Sequence, residues 1–280
     1  MLEEGTLYVC ATPIGNLGDI TLRVLETLKD VDLIAAEDTR HSRKLLGHYS
    51  IKTPLISYHQ HNEKQRTNEI IARLKNGEKV ALISDAGMPG ISDPGQILIR
   101  RCMQEKIKVD VLPGPNAAIT ALVLSGMPTD SFLYLGFLPT NKNERKRVLK
   151  TISEFSSTVI IYEAPHRVTR TLEDILEILG DRDTAVAREL TKLYQTVHKG
   201  LVSELLEKFQ AIPPKGECCL LLAPLEQKIE QSEPADWLKE IKQLELKGMA
   251  CKDAMKIAAK KYGVTKREVY KARLNQEDNE

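Results

Sequence analysis

The sequence predicts an α/β protein with two α/β domains and a small helical module at its C-terminal end. Short apolar runs alternate with amphipathic segments, and the alternation restarts after a proline-rich turn near residue 113. A basic segment then follows a polar stretch near residue 230. Strand–helix alternation is typical of parallel sheets covered by helices, and 280 residues exceed one typical domain. We expect domains over residues 1–115 and 116–225 and a basic helical module over residues 234–280.

The first block contains five candidate strands, each a short apolar run that ends in small or polar residues. They span residues 7–11, 31–36, 55–58, 80–84 and 109–112. Between them, apolar residues recur at helical spacing, as at Leu22, Leu25 and Leu28. This pattern predicts a helix-covered sheet, and ligands of such sheets bind at the carboxyl ends of the strands.

The second block repeats the pattern with four more candidate strands. They span residues 132–137, 159–162, 184–187 and 218–222. Helical segments separate them, so we predict a second α/β domain. A polar, charged stretch over residues 226–234 then reads as a linker.

The last segment is basic and carries a helix-turn-helix pattern. Residues 247–273 contain nine Lys and Arg against two acids. A helix that ends near Tyr262, a turn at Gly263 and Val264, and Thr265 as the N-cap of a helix through Leu274 fit that pattern. The pattern favours contact with RNA, whereas the alternative is a helical bundle that packs on the rest of the chain.

Composition limits the classes of partner and compartment. The formal net charge is +1, so attraction to nucleic acid has to come from local clusters of charge. The first residues are acidic where a signal peptide is basic, and no apolar run is long enough to span a membrane. The five cysteines form an odd set without C-x-x-C spacing. We therefore expect a cytoplasmic protein with reduced thiols and no membrane contact.

Three turns that follow candidate strands are dense in Gly, Pro and Asp. They lie at residues 12–19, 84–95 and 112–118. Glycine lets a backbone approach a ligand and proline fixes the shape of a loop, so the turns predict a nucleotide-like ligand in a shared cleft. The alternative is that they are ordinary strand-to-helix turns. This explanation is weaker for three such turns than it would be for one. The P-loop and G-x-G-x-x-G patterns are absent, and the oxygens of Ser84, Asp85 and Asp93 suit a cationic ligand.

Eight segments carry a specific resemblance. They are TPIGNLGDIT, AEDTRHSRKLL, SYHQHNE, SDAGMPGISDPG, LPGPNAAITAL, GFLP, YEAPHR and ARELTK, in this order between residues 12 and 192. They resemble the segments of the bacterial 16S ribosomal RNA cytidine 2′-O-methyltransferases, a family within the tetrapyrrole methylase superfamily. The resemblance implies two α/β domains of the tetrapyrrole-methylase type with S-adenosylmethionine in a deep cleft between them, and it implies a homodimer.

The same resemblance implies a set of cofactor-binding residues. From the first domain they are Pro13, Asp85, Ala86, Gly87, Ile91, Asn116 and Ala117. Glu163 and Glu189 of the second domain are expected to close the cleft. Met88 stands where the family pattern has Thr, which removes a side-chain hydrogen bond but leaves the backbone of the loop.

The segment after the second candidate strand supplies candidate catalytic residues. A ribose hydroxyl is a poor nucleophile until its proton is taken. Glu37, Asp38 and His41 are therefore candidate bases, and Arg40 is a candidate RNA contact. Asp38 is equally well explained as the N-cap of a helix.

Two basic clusters are candidate RNA-binding surfaces. They contain Lys142, Arg145, Lys146 and Arg147 in the first cluster and Lys266, Arg267 and Lys271 in the second. A solvated helix face is the alternative for the first cluster. His59 and His61 lack further ligands at suitable spacing, so we expect no metal site.

The sequence as a whole favours S-adenosylmethionine-dependent methylation of a cytidine 2′-oxygen in the decoding region of 16S rRNA, with 16S rRNA or the small ribosomal subunit as the partner. Two alternatives stay open at this stage. One is methylation of a tetrapyrrole or of a modified histidine on a protein, as in diphthine synthesis. The other is a non-enzymatic regulator that senses a nucleotide and binds nucleic acid.

Overall fold

The computed structural model describes residues 2–225, 234–262 and 264–277. Residues 226–233 of the predicted linker and Gly263 of the predicted turn lie outside this part of the chain. The chain divides into two compact units, Met1–Pro224 and Leu225–Glu280. In the described ranges, no helix is long and apolar enough to cross a membrane.

The first unit begins with a five-stranded sheet that is parallel throughout. Its strands are β1 (Thr6–Cys10), β2 (Leu33–Ala36), β3 (Leu55–Ser57), β4 (Val80–Ile83) and β5 (Lys108–Leu112). Their order is β3-β2-β4-β1-β5. All five predicted strands are present, and β1 lies between β4 and β5.

Helices cover both faces of this sheet. They are α1 (Leu22–Asp30), α2 (Thr39–His48), α3 (Glu63–Lys75) and α4 (Gln96–Gln104). Along β2, Ile34 packs with α1 and α2, whereas the next residue, Ala35, packs with α3 and α4. Side chains of a strand point alternately to its two faces, so a continuous apolar run supplies both cores.

The predicted apolar stripe of α1 is wrong at its first position. Leu22 is 78% exposed, and the helix buries Val24, Thr27 and Leu28 instead. Thr21 is the N-cap, because its hydroxyl accepts a hydrogen bond from Val24 N at 3.2 Å. Leu22 is thus the first residue of the helix, where it points away from the sheet.

A second five-stranded sheet follows, in the order β6-β7-β10-β8-β9. The strands are β6 (Phe132–Phe137), β7 (Thr158–Glu163), β8 (Asp183–Arg188), β9 (Thr196–Leu201) and β10 (Cys218–Leu222). Only β6 and β7 pair in parallel, and the other neighbours are antiparallel. Four of these strands were predicted from the sequence, whereas β9 was not. As an edge strand, β9 is half-exposed and carries polar residues that hide the apolar pattern.

The helices of the second sheet divide unevenly between its faces. They are α5 (Ala117–Ser125), α6 (Lys142–Thr151), α7 (Val168–Leu179) and α8 (Val202–Ala211). The last three cover the face of Val159 and Ile161. Helix α5 alone covers the face of Ile160 and also contacts Ile14 of the first domain. Because α5 starts directly after a turn of the first sheet, it places that turn against the second sheet.

The second unit is a three-helix arrangement, α9 (Pro234–Leu246), α10 (Cys251–Tyr262) and α11 (Lys266–Glu277). Ile241, Ala254, Ala258, Ala259 and Val269 form its core. Thr265 is the N-cap of α11, as predicted. Its hydroxyl accepts from Glu268 N at 3.3 Å, and its own N–H donates to the Glu268 carboxylate at 2.7 Å, which is a capping box.

Candidate active site

The three glycine- and proline-rich turns meet at one edge of the first sheet. They follow β4, β1 and β5, which are neighbours in the sheet. Thr12 N donates to Gly87 O at 2.9 Å, and Gly87 N donates to Thr12 O at 3.0 Å. A Cβ atom added to Gly87 would lie 3.8 Å from Pro115 O, so the third turn is in contact range. The strand order therefore produces the shared cleft that the sequence predicts.

A cavity of about 340 Å³ lies between these turns and the second sheet. This volume suits a small molecule, since ligand pockets measure about 300–1,000 Å³. The first domain contributes residues of all three turns, and the second domain contributes the ends of β7 and β10 and the segment after β8. The main lining residues are Ile14, Ala86, Gly87, Ile91, Ser92, Asp93, Asn116, Ala117, Phe137, Tyr162, Glu163, Leu190, Glu217, Cys218 and Cys219.

Six of the nine predicted cofactor-binding residues line this cavity: Ala86, Gly87, Ile91, Asn116, Ala117 and Glu163. Asn116 is also the N-cap of α5, because its side-chain oxygen accepts from Ile119 N at 3.1 Å. Gly87 has φ +79°, a conformation that side chains other than glycine rarely adopt, and an added Cβ would lie 3.5 Å from Ile14. The turn thus brings bare backbone to the cavity wall.

The structure places the other three, Pro13, Asp85 and Glu189, outside the described cavity lining. Pro13 precedes the lining residue Ile14. The Asp85 carboxylate accepts from Asp38 N at 3.1 Å, which ties the β4 turn to the start of α2. The Glu189 carboxylate instead accepts from Glu217 N at 3.1 Å.

Glu163 lies in the cavity wall, but its carboxylate is engaged within the second domain. It accepts hydrogen bonds from Ala164 N at 2.9 Å and from the Thr171 hydroxyl at 2.6 Å. The Arg167 guanidinium lies 3.1 Å away. A buried carboxylate with three partners has little capacity left for a ligand, so Glu163 shapes the wall through its backbone and its neighbours.

Aromatic rings form the wall opposite the turns. Phe137 and Tyr162 meet edge to face with ring centres 5.7 Å apart, and Tyr134 meets Tyr162 at 5.1 Å. The Tyr162 hydroxyl accepts from Ala118 N at 3.0 Å. The Tyr134 and Ser92 hydroxyls hydrogen bond at 2.6 Å, which links the second domain to the β4 turn. These aromatic residues are not among the predicted site residues, because single aromatic residues in apolar runs look like core residues.

Three carboxylates lie close together, with Asp93 in the cavity lining and Asp85 and Glu37 behind it. In the described part of the chain, Glu37, Asp85 and Asp93 take part in no ion pair, whereas Asp85 N donates to Glu37 at 3.4 Å. Burial, reinforced by the charges of Glu37 and Asp85, raises the pKa of Asp93 to about 7. Burial also raises the pKa of Glu37 above its ordinary value. An apolar, aromatic wall facing uncompensated carboxylates fits a ligand with a flat apolar part and a positive charge.

The three candidate bases have different environments in the structure. Asp38 caps α2 through Arg40 N at 2.8 Å and forms an ion pair with the Arg40 guanidinium at 2.9 Å. These hydrogen bonds lower the pKa of Asp38 to about 2, which makes it a weak base, so its capping role explains it better. His41 is exposed on α2. Glu37, half-buried beside the β4 turn, is the base candidate that the geometry favours.

The prediction that Arg145 contacts RNA is wrong. The side chain is 7% exposed, and its guanidinium lies 2.6 Å from Asp174, which is 4% exposed. Lys146 pairs with Glu177 at 2.5 Å, whereas Lys142 and Arg147 are exposed. A buried arginine with a carboxylate partner is not available to a phosphate. On α6 the exposed cations are therefore fewer than the sequence suggests.

Helix α2 carries basic residues that were not predicted as RNA contacts. Arg43 and Lys44 are exposed on the same helix as Arg40 and His41, and α2 contains no acid. Arg40, although paired with Asp38, is 86% exposed. The signal was present in the run TRHSRK, but the acids Glu37 and Asp38 directly before it obscured the local excess of positive charge.

In the second unit, Lys266, Arg267 and Lys271 are all exposed on α11. The core residue Val269 points the other way, so the helix separates an apolar face from a basic one. Within the described ranges, no group of three His, Cys, Asp or Glu side chains has the arrangement of a metal site.

The fold and the cavity define a two-domain α/β protein with a small-molecule site between a parallel and a mixed sheet. Residues 6–206 match the family of Tetrapyrrole (Corrin/Porphyrin) Methylases, and the chain belongs to this family. A uroporphyrin-III-C-methyltransferase from Thermus thermophilus has the same fold, with a TM-score of 0.55 and 19% identity over 78% of this chain and 94% of that one. A cobalt precorrin-4 methyltransferase gives a TM-score of 0.56 at 14% identity, over 78% of this chain and 95% of that one.

Curated relatives are closer in sequence, and several share one name. "Ribosomal RNA small subunit methyltransferase I" of Halalkalibacterium halodurans is 44% identical over 96% of this chain and 94% of the relative. The protein of that name from Escherichia coli O157:H7 is 46% identical over 98% and 96%. The one from Thermotoga maritima is 49% identical over 78% of this chain and 98% of the relative, so it is about a fifth shorter than this chain.

We expect Asp93→Asn to stabilise the protein at alkaline pH. Because the folded-state pKa of about 7 lies above the ordinary value of 3.8, the folded protein holds a proton that the unfolded chain has lost between these values. The Asp93 carboxyl group therefore lowers the free energy of unfolding as the pH rises from 4 to 7. The melting temperature of Asp93→Asn should exceed that of the wild type at pH 8 and match it more closely at pH 5.

The control is Asp130→Asn, which removes an exposed carboxylate elsewhere. Thermal unfolding of the three proteins, without ligand, at pH 5 and pH 8 gives the comparison. A constant difference between Asp93→Asn and the wild type across this range would contradict the raised pKa.

Proposed function

We propose that this protein transfers a methyl group from S-adenosylmethionine to the 2′-oxygen of a cytidine in the decoding region of 16S rRNA. The observation that carries the proposal is the identity of 44–49% with proteins named ribosomal RNA small subunit methyltransferase I. The cavity supports it, because 15 of its 18 lining residues lie within residues 6–206, the part of the chain that matches the family. The structural neighbours support the fold alone.

The cavity residues fit S-adenosylmethionine. Its adenosine part suits the apolar wall of Ile14, Ile91 and Leu190, and Asn116 offers polar groups at the same wall. Its sulfonium and amino groups are positive, and the Asp93 carboxyl group in the cavity lining, with Asp85 behind it, favours a positive ligand. When bound, S-adenosylmethionine supplies an electrophilic methyl group. Gly87 and Ala86 expose backbone to it.

Glu37 is the group that takes the proton of the ribose hydroxyl in this proposal. Its carboxylate accepts from Asp85 N, and its raised pKa brings it closer to the value that a general base needs near neutral pH. The base adds about 10²–10⁴-fold. Holding donor and acceptor in line contributes roughly 7–11 kcal/mol. The cavity that positions the cofactor therefore contributes more than any single base.

The RNA meets the enzyme on its basic surfaces. Helix α2 starts at the carboxylate cluster and carries Arg40, Arg43 and Lys44 away from it, which gives a phosphate-binding face next to the site. Lys142 and Arg147 extend the positive surface of the second domain. The exposed cations of α11 provide a third group in the second unit.

The enzyme is further proposed to be a homodimer that works in the cytoplasm. The family resemblance supports the dimer, and the substrate, a ribosomal RNA, supports the compartment. Sedimentation velocity of the purified full-length chain tests the oligomeric state, and a single monomeric species at micromolar concentration would refute the dimer.

The proposed activity predicts a labelled ribose. Purified protein, S-adenosylmethionine with a labelled methyl group and small ribosomal subunits from a strain lacking this gene are incubated together. Nuclease digestion and chromatography then show whether the label is on a base or on a 2′-oxygen. We expect one labelled 2′-O-methylcytidine per subunit. Label on a base, a tetrapyrrole or a protein, or no transfer at all, would refute the proposal.

Substitutions in the cavity and at the base should separate binding from proton transfer. We expect Gly87→Val to abolish cofactor binding in calorimetry, because its positive φ and the nearby Ile14 leave no place for a branched side chain.

Glu37→Gln should keep the cofactor affinity and lower kcat by about 10²–10⁴-fold. Asp38→Asn keeps the N-cap oxygen and is the matched control, with a loss below about 10-fold. A Glu37→Gln variant with full activity would remove Glu37 as the base.

Removal of residues 234–280 should weaken rRNA binding and flatten its dependence on salt. The Thermotoga maritima relative is shorter by about a fifth, which supports methyl transfer without such a segment. Replacing Lys266, Arg267 and Lys271 together by Ala is the milder variant, and it should reduce the slope of log K against log salt by about 2–3. Cofactor affinity should stay unchanged in both variants. Equal salt slopes for all three proteins would contradict RNA contact by α11.

A further inference from the structure

The segment between β8 and β9 exposes two large apolar side chains. Leu193 is 89% exposed and Tyr194 is 70% exposed. In the ranges that the structure describes, Leu193 is the most exposed large apolar residue and Tyr194 the most exposed aromatic one among Phe, Tyr and Trp. We refer to residues 189–195 as the tip loop. Leu193 and Tyr194 are neighbours in the chain, so their exposed side chains together form a candidate contact surface.

The tip loop is fixed by its own contacts. Thr191 N donates to the Gln195 side chain at 2.7 Å, and Lys192 Nζ lies 3.1 Å from Glu189. Leu190 is buried in the core that α5 shares with the second sheet. Glu189 and Thr191 have φ values of +50° and +62°, a region that these residues enter only when the surroundings impose it. The exposure of the tip is therefore built into the fold.

The tip loop also lies at the mouth of the cavity. Leu190 and Glu217 line the cavity, and the Glu217 side chain is 78% exposed, so it marks the opening. Lys192 Nζ lies 3.2 Å from Glu217, and a Cβ on Gly15 of the first domain would meet Lys192 Cγ at 2.5 Å. Tyr194 follows Lys192 by two residues, so their Cα atoms are at most about 7 Å apart. Tyr194 therefore lies on the loop that borders this opening, and its ring is exposed to solvent.

We propose that Leu193 and Tyr194 form a stacking platform for an unpaired base of the RNA substrate, beside the nucleotide whose ribose is methylated. The inference rests on the proposed function, because it assumes an RNA acceptor. Proteins that bind single-stranded RNA stack its bases on exposed aromatic rings. A ring at the cavity mouth holds the strand while the ribose of the neighbouring nucleotide reaches the methyl donor.

The size of the apolar tip fits a single base. A stable protein interface buries about 800 Å² on each side and would need a much wider surface than Leu193 and Tyr194. One ring and one leucine match the area of a single base. Stacking is tolerant of base identity. Tyr194 is therefore a positioning residue, and it holds the strand without reading its sequence.

The test compares flat and non-flat side chains at position 194. Tyr194→Ala and Tyr194→Leu should lower kcat/KM for small subunits lacking the methyl group by about 5- to 150-fold, the cost of one stacked base. Tyr194→Trp should stay within about threefold of the wild type. KM for S-adenosylmethionine should be unchanged in all three. Ile212→Ala, at another apolar residue that is 74% exposed, is the matched control and should be fully active.

Binding of a fluorescent single-stranded oligoribonucleotide gives a second readout that needs no turnover. Fluorescence anisotropy should show weaker binding for Tyr194→Ala and Tyr194→Leu and wild-type binding for Tyr194→Trp. A Tyr194→Leu variant as good as the wild type in both assays would overturn the proposal. So would loss of cofactor affinity, or a change of oligomeric state in light scattering, on Tyr194→Ala. Wild-type protein that binds the oligonucleotide through Tyr194 but methylates no rRNA would refute only the proposed function.

Discussion

The pair of backbone hydrogen bonds between Thr12 and Gly87 is the contact on which the site depends. It joins the turns after β1 and β4, and it forms because the parallel sheet places these strands side by side. Gly87 reaches this geometry only through its positive φ, and the backbone then lies bare at the cavity wall. The third turn completes the arrangement because β5 flanks β1 on its other side. One strand order therefore brings together residues that are more than a hundred positions apart.

Electrostatics make this arrangement suitable for a positive ligand. Glu37, Asp85 and Asp93 approach each other without an ion pair in the described part of the chain, and the cost of their burial appears as raised pKa values for Glu37 and Asp93. A binding site that keeps carboxylates partly buried is less stable when it is empty. A ligand with positive charge removes that cost on binding, so part of its affinity is stored in the folded protein beforehand.

The sequence predicted the strands of the first sheet and the meeting of its turns, because a continuous apolar run and a proline-bent turn are local signals. Prediction from the sequence was less successful for features that tertiary contacts determine. Arg145 stands among four exposed or half-exposed cations in sequence, and only the buried Asp174 on α7 shows that it is a core ion pair. Strand β9 lies at a sheet edge, where its polar residues resemble a loop. The aromatic wall and the tip loop come from the second domain. The segments GFLP, YEAPHR and ARELTK contain parts of both, but no local pattern shows which of their side chains face the cavity.

The crossing from β5 to α5 has a mechanical consequence. The main chain passes from the first sheet to the second once, at Asn116, which both caps α5 and lines the cavity. A rigid-body swing of one lobe away from the other would pivot at Asn116, in the cavity wall, and would have to break the hydrogen bond between the Ser92 and Tyr134 hydroxyls. It would also have to separate Gly15 from Lys192 and Ile14 from Leu190, so opening of the cavity is resisted on more than one side of the hinge.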